Sequence, residues 1–342
     1  MSDAIEPAAR ENMAPPLMAG IFSGLLYGTA ILGIAFLLPI QIAFGRRGKR
    51  AGLVAAAVAL CVASLVQLGE VLASGGFGSE LFMIGTMTPA TFLLVAVLPP
   101  AVLLGALVLM NAPFWRGSGA WVRDFSGTAL ASLAAAPAVI ALSRNTAFMD
   151  ACEAQIGKTL NGLAGQSQAG AAQASLFSAV DIKEMARLSF TVLESSFVPL
   201  LLVFLAGSRW IGNRASGEGS EGREESRSLS DYRLPSWLVW PFMAAWAGVL
   251  YVSYFKVGLP WSGLAWNLAI AFSLAYSVQG TGIASYLMRS WNMPRSLRIL
   301  VAVSAVIVFL QPPVGTALIA VLPLLGVSEV WINYRTPKGV GA

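Results

Sequence analysis

The chain has 342 residues, of which 56% are hydrophobic and only 11% charged, with a mean hydropathy of +0.71 and a net charge of +5. A soluble domain carries roughly 25% charged residues, so this composition predicts an integral membrane protein that spans the bilayer several times. The sequence contains no histidine, which excludes imidazole-ligated zinc and every catalytic pair built on histidine.

The remaining composition gives no sign of a metal or cofactor. Cys61 and Cys152 lie about 90 residues apart and form neither a metal-binding spacing nor a disulfide framework. We interpret the excess of Lys and Arg as orienting the protein in the membrane rather than as binding nucleic acid. The sequence therefore predicts no metal, no cofactor and no nucleic-acid partner.

Apolar stretches long enough to cross a bilayer follow a polar N-terminal tail, residues 1–16, which lacks the positive start of a secretory signal. The fold class is therefore predicted to be all-α, a polytopic transmembrane helix bundle of eight to ten spans, with nine preferred. The stretches cover residues 17–44, 51–73, 81–112, 125–143, 187–207, 236–256, 263–288 and 297–332.

Glycine and proline break several of these stretches. The last is interrupted at Pro312 and Pro313, where a helix lacks backbone donors, so two short spans are predicted there. Pro89 and the Pro99-Pro100 pair predict a kinked or broken helix in the third stretch. The first stretch is either one tilted helix or two half-length ones.

Loop charges predict the orientation and the domains. Basic clusters in alternate connections should face the cytoplasm, which leaves the N-terminal tail outside. Residues 144–186 are predicted to form an outer amphipathic segment, either a loosely structured connection or a lid over a binding site. The charged, Gly- and Ser-rich residues 212–233 are predicted to be a flexible linker between a front bundle, 17–211, and a back bundle, 234–342. The basic clusters are Arg46, Arg47, Lys49 and Arg50; Arg116 and Arg123; Arg209 and Arg214; and Arg289, Arg295 and Arg298.

Glu194 is the best single candidate for a ligand or proton contact. A lone carboxylate is costly inside a span, and Glu194 lies in FTVLESSFVP beside Ser195. The alternatives are a protonated or hydrogen-bonded carboxyl that stabilises the bundle, or a position near the outer boundary. Weaker polar candidates are Gln41, Gln67, Glu70, Asn267 and Gln279, because amides often join helices without a functional role.

Three small residues form one face of the first helix. Gly20, Gly24 and Gly28 repeat at intervals of four, which lets another helix approach closely. This face is interpreted either as internal packing or as contact with a partner subunit.

Short motifs in the back half resemble a known family. LPSWLVWP (234–241), NLAIAFSLAYSVQGTGIASYLMRSW (267–291) and LPLLGVSEVWINYR (322–335) resemble the YybS-like predicted membrane proteins, to which no function is assigned. The front bundle is similar to the S components of energy-coupling-factor vitamin transporters. That resemblance implies that Gly20, Gly24 and Gly28 dock on a transmembrane coupling subunit, although S components have about six spans and typically use alanines there.

These observations predict a multi-pass protein of a bacterial inner (plasma) membrane, in contact with the lipid bilayer. Its predicted role is a transport-related subunit that binds an unknown small-molecule solute. The chain contains no Gly-x-x-x-x-Gly-Lys-Ser/Thr loop, so coupled ATPases would be partners. The alternative is a non-transporting scaffold or envelope-assembly factor. No catalytic residue is predicted, since an intramembrane enzyme would need a carboxylate dyad and Glu194 has no obvious mate.

Overall fold

The computed structural model is helical wherever it describes regular structure, which confirms the all-α prediction for those residues. It describes residues 13–29, 32–73, 93–115, 118–146, 148, 150, 154, 182–217, 232–258, 261–309 and 311–335. Its α-helices are α1 (Ala14–Tyr27), α2 (Leu37–Ala73), α3 (Leu98–Met110), α4 (Ala120–Ser143), α5 (Ile182–Ser216), α6 (Val239–Tyr254), α7 (Trp261–Ser290), α8 (Arg295–Phe309) and α9 (Pro312–Ser328).

Five helical segments are long and apolar enough to cross a membrane. The shorter apolar helices, such as α3 with 13 residues, are about 20 Å long and fall short of the roughly 30 Å hydrocarbon core. Multi-pass character therefore follows from the structure, while the count of nine spans stays a prediction. The five segments are Leu32–Ala73, Ala120–Ser143, Leu188–Ser216, Ser236–Tyr254 and Trp261–Ser290.

Two helices begin at or beside prolines where the sequence predicted that a helix would be broken. The last stretch divides between Phe309 and Pro312, with Gln311 as the N-terminal cap of α9, so the predicted division there is confirmed. Pro99 and Pro100 lie in the first turn of α3, where the missing backbone N–H costs no hydrogen bond. A π-helical turn, Leu93–Val97, precedes them.

The chain divides into two compact units. Unit 1 comprises residues 1–189 and 203–223, and unit 2 comprises residues 190–202 and 224–342. Helix α5 thus contributes its middle to unit 2, whereas the sequence assigned it entirely to the front bundle.

In unit 1 the glycine face of α1 packs against α2. A Cβ atom placed on Gly20 would lie 2.7 Å from Val58 Cβ, and one on Gly24 would lie 2.6 Å from Val62 Cβ. Gly28 meets Val66 in the same way. Each contact advances four residues along both helices in the same direction, so α1 and this part of α2 run parallel. The chain's own helix covers the glycine face.

Gly48 reverses the chain between two arms of α2. Its φ of 78° and ψ of −171° are not helical, and a side chain is rarely accommodated at such a φ. The arms, 37–47 and 49–73, return on each other, since Phe44 lies against Gly52. Because α1 runs parallel to the second arm, the start of α1 lies at the same end of unit 1 as this basic turn. Most of the N-terminal tail lies outside the described residues, so its side of the membrane stays a prediction.

In unit 2, α6 and α9 pack on the long helix α7. Along α6, the ring of Phe242 meets that of Tyr276 edge to face, and the indole of Trp246 donates a hydrogen bond to the hydroxyl of Ser273 at 3.2 Å. Further along, Ala245, Val249 and Ala269 form an apolar core. These pairs run in opposite directions along the two helices, so α6 and α7 are antiparallel.

The parallel packing of α1 on α2 predicts that a large residue at Gly24 destabilises the protein. We expect Gly24→Leu to lower the free energy of unfolding by about 1–3 kcal/mol, because the new side chain must displace Val62. Gly69→Leu is the matched control, since a Cβ atom at Gly69 of α2 has no neighbour within 4 Å. Thermal unfolding in detergent measures both variants, and equal losses of stability would contradict the packing.

Candidate functional site

An amide side chain from α7 bonds to the backbone of helix α5 at Glu194. Asn267 Nδ2 donates a hydrogen bond to the carbonyl of Glu194, and Asn267 Oδ1 accepts one from the N–H of Val198 at 2.8 Å. In a regular helix that N–H would donate to that same carbonyl. Asn267 Nδ2 also donates to the carbonyl of Gly263, one turn earlier in its own helix. All of these residues belong to unit 2, and the Asn267 amide bonds to both of the groups that one backbone hydrogen bond of α5 would join.

Pro199 removes a backbone hydrogen bond from the same turn of α5. It lies inside α5 and has no N–H to donate to the carbonyl of Ser195, its partner in a regular helix. The Glu194 side chain is half-buried, and its carboxylate makes no hydrogen bond or ion pair with another residue that the structure describes. This turn therefore carries a carboxylate and a released carbonyl, both of which accept hydrogen bonds. We refer to Glu194, Ser195, Val198, Pro199 and Asn267 as the α5 opening.

A second polar cluster joins α7 to the segments that flank α6 and α9. Gln279 Nε2 donates to Glu329 Oε2 at 2.9 Å and to the carbonyl of Gly326 at 3.1 Å, while Gln279 Oε1 accepts from the N–H of Leu234. Arg335 Nη2 donates at 3.0 Å both to Glu329 Oε2 and to the carbonyl of Gln279. The side chains of Glu329 and Arg335 are only 7% and 2% exposed. This cluster is the Gln279 junction.

The Gln279 junction holds the end of the linker region against the C-terminal segment. Arg335 Nη1 donates to the carbonyl of Tyr232 at 2.9 Å, and Arg233 Nη2 donates to the carbonyl of Arg335 at 3.1 Å. Glu329 Oε1 is buried and accepts no hydrogen bond from a described residue, and Arg233 Nε lies 3.9 Å from it. The attraction within a buried ion pair offsets the cost of removing both charges from water only when further hydrogen bonds are made. The contacts to Tyr232 and Gln279 supply such bonds for Arg335.

Two glycines bring the backbones of α7 and α9 together beside this junction. A Cβ atom on Gly280 would collide with the carbonyl of Leu322, and one on Gly326 with the carbonyl of Tyr276. The two helices are therefore antiparallel and cross without side chains between them. Close backbone approach of this kind is a common basis of helix association in membranes.

Unit 1 contains a polar cluster of its own that sequence reasoning found only in part. Gln41 Nε2 donates to Asn213 Oδ1 at 2.7 Å, and Asn111 Nδ2 donates to Gln41 Oε1 at 2.8 Å. Arg209 Nε donates to Asp124 Oδ1 at 2.8 Å, and both side chains are largely buried. Asn111 and Asn213 carry no pattern that singles them out, because each lies at a helix end where a polar residue is ordinary.

The other predicted candidates are not brought into these clusters. In α2 of unit 1, Gln67 is half-buried and Glu70 is exposed. Ser195 is half-buried within the α5 opening. The structure thus brings Asn267 to the backbone of Glu194 and connects Gln279 with Glu329 and Arg335.

Several sequence predictions lie wholly or mostly outside the described residues. They are Pro89, the N-terminal tail 1–16, the outer segment 144–186 and the linker 212–233. Among the residues that are described, no three His, Cys, Asp and Glu side chains come together in a way that would hold a metal ion.

A family model described as predicted membrane protein DUF2232 matches residues 17–325, which is nearly the whole chain. The chain belongs to the DUF2232 family. This match covers both units of the DUF2232 protein, including the α5 opening and the Gln279 junction as far as Leu325. No curated protein and no solved structure matches the chain. Membership establishes a membrane protein and assigns no solute or protein partner.

The structure of the Gln279 junction predicts that Glu329 and Arg335 contribute to the free energy of unfolding as a pair. We expect Arg335→Met to lower the free energy of unfolding by about 3–5 kcal/mol, because it leaves Glu329 buried without its cation. The double variant Glu329→Met/Arg335→Met should recover much of this loss, since neither charge then remains buried alone. Denaturant unfolding in detergent completes the double-mutant cycle. Losses that simply add would show that the two side chains do not act as a pair.

Proposed function

We propose that this DUF2232 protein is a non-enzymatic, transport-related membrane subunit that binds a small solute at the α5 opening. The observation that carries the proposal is the carboxylate of the half-buried residue Glu194, which has no hydrogen-bond partner among the described residues. Glu194 lies in the turn of α5 that contains Pro199 and that Asn267 contacts. An ionisable group within a membrane helix is costly, so it is usually retained for a ligand, an ion or a proton.

The chemistry of the opening limits the class of solute. Glu194 and the carbonyl of Ser195 accept hydrogen bonds, while both polar atoms of the Asn267 amide are engaged by the backbone. A ligand held here must therefore donate hydrogen bonds or carry positive charge. We propose a small solute with a protonated amine or a comparable donor. Broken helices whose backbone groups face a bound ligand are a recurrent construction in transporters.

The remaining parts of the proposal concern partners and location. Because the chain has no phosphate-binding loop of the Walker type, ATP-driven transport would need a transmembrane coupling subunit and ATPases, as the resemblance to S components implies. Such a subunit would need a surface other than Gly20, Gly24 and Gly28, which are packed on α2. A bacterial inner membrane is the proposed location, and the resemblance to YybS-like proteins supports it.

A scaffold or envelope-assembly factor is the second candidate, and one specific observation favours it. Three polar residues predicted inside spans, Gln41, Asn267 and Gln279, all make hydrogen bonds within the chain. Polar side chains used in this way hold helices together and need no ligand. The two candidate functions therefore differ in the role that they give to Glu194: it binds a solute in the first and has no ligand in the second.

Exchange of Glu194 for its amide separates the two candidates. We expect Glu194→Gln to change the free energy of unfolding by about 1 kcal/mol or less, because no described partner is lost, and to abolish retention of the solute. Affinity purification in mild detergent followed by mass spectrometry for small molecules and co-purifying proteins measures retention. Ser196→Ala is the matched control, since the Ser196 hydroxyl donates only within its own helix, to the carbonyl of Val192.

The outcomes differ clearly. A small molecule that is present with the wild type and Ser196→Ala, and absent with Glu194→Gln, supports solute binding at the α5 opening. Recovery of envelope or cell-division proteins without a small molecule, equal for all three proteins, would reject that proposal and make the scaffold the working model.

A further inference from the structure

Three basic segments converge at one end of unit 1. The turn at Gly48 contacts the end of α5, where Arg46 Nη2 donates to the carbonyl of Ala215 at 2.8 Å. The start of α4 joins the same end, because Arg209 of α5 pairs with Asp124 and also donates to the carbonyl of Ala120. We refer to this region, residues 46–50, 111–115, 118–124 and 209–216, as the basic end.

The basic end carries a large excess of positive charge. Its described residues include seven Lys and Arg side chains and one acidic side chain, which leaves a net charge of 7 − 1 = +6. The single carboxylate, Asp124, accepts from Arg209 at 2.8 Å and is 15% exposed, so it neutralises little of the surface. The positive residues are Arg46, Arg47, Lys49, Arg50, Arg123, Arg209 and Arg214.

The turn at Gly48 presents most of these charges to the surroundings. Arg46, Arg47 and Arg50 are exposed and Lys49 is half-buried. Because Gly48 reverses the chain, two cations lie on one arm of α2 and two on the other. A group bound at this turn would meet positive side chains from both arms.

Exposed aromatic side chains accompany the cations at the same end. Trp210 is 39% exposed and Phe114 is 64% exposed, and the Arg214 guanidinium lies 4.6 Å from the centroid of the Trp210 ring. Tryptophan with an adjacent cation is typical of the headgroup layer, where one side of the ring meets acyl chains and the other meets polar groups. The pairing of exposed rings with cations at this end is therefore the pattern expected where lipid phosphates meet a membrane protein.

We propose that the basic end of unit 1 binds the headgroups of anionic phospholipids. Clustered Lys and Arg next to transmembrane helices attract the negatively charged surface of the cytoplasmic leaflet. The chemistry recognised is a phosphate monoanion, and the lipid is favoured over free phosphate because exposed aromatic rings accompany the cations. This inference is independent of the solute proposed for the α5 opening.

The test is thermal stabilisation of the full-length, purified protein in detergent on addition of phosphatidylglycerol or phosphatidylcholine. We expect phosphatidylglycerol to stabilise the protein far more, and added salt to weaken the effect because it screens exposed charges. Lys49→Gln/Arg50→Gln should weaken the apparent lipid affinity roughly 25-fold, at about fivefold for each charge removed. The matched control, Lys256→Gln/Arg295→Gln, removes one Lys and one Arg from unit 2 and should bind as the wild type does.

Three results would overturn the proposal. The first is equal stabilisation by the two lipids, or equal loss of affinity in both double variants. The second is stabilisation by inorganic phosphate that matches phosphatidylglycerol, which would identify a free anion as the ligand. The third is lipid binding that occurs only when Glu218, Glu221, Glu224 and Glu225 are changed to Gln, which would identify the acidic linker as the occupant of the basic end.

Discussion

The need to satisfy backbone and side-chain polar groups where lipid offers no hydrogen bonds governs both units of this protein. Asn267 is the clearest example, because its amide bonds to the α5 backbone at both Glu194 and Val198. Pro199 lies in the same turn and leaves the carbonyl of Ser195 without its usual donor. The amide therefore joins α5 to α7 at the turn where the α5 backbone is least regular.

The same solution recurs at two other places. Gln279 bonds to the backbone of Leu234 and Gly326, and Gln41 joins Asn111 and Asn213. An amide suits this role because it carries a donor and an acceptor and remains neutral, so its burial costs less than burial of a charge. The charged pair of Glu329 and Arg335 is held only where the neutral Gln279 already satisfies part of its hydrogen bonding.

Hydropathy and proline placement predicted the helical class and the division before α9, because both depend on local properties of the chain. The direction of α1 was not predictable in this way. A run of apolar residues gives no sign of which neighbour it will pack on, and the reversal depends on one glycine, Gly48, among charged residues that looked like an ordinary loop. Likewise Gln279 was a polar candidate, but its contact with Glu329 and Arg335 depends on the close crossing at Gly280 and Gly326.

Asn267 and Glu194 show that the partners of a polar residue decide whether it is a good candidate for binding a ligand. Asn267 was a candidate ligand residue, yet both of its polar atoms are occupied by backbone. Glu194 contributes its carbonyl to that arrangement, while its carboxylate stays outside it. Because Asn267 and Pro199 already account for the irregular backbone, the carboxylate is not needed to open the helix. A costly charged group without that structural task is the feature of unit 2 that a ligand explains best.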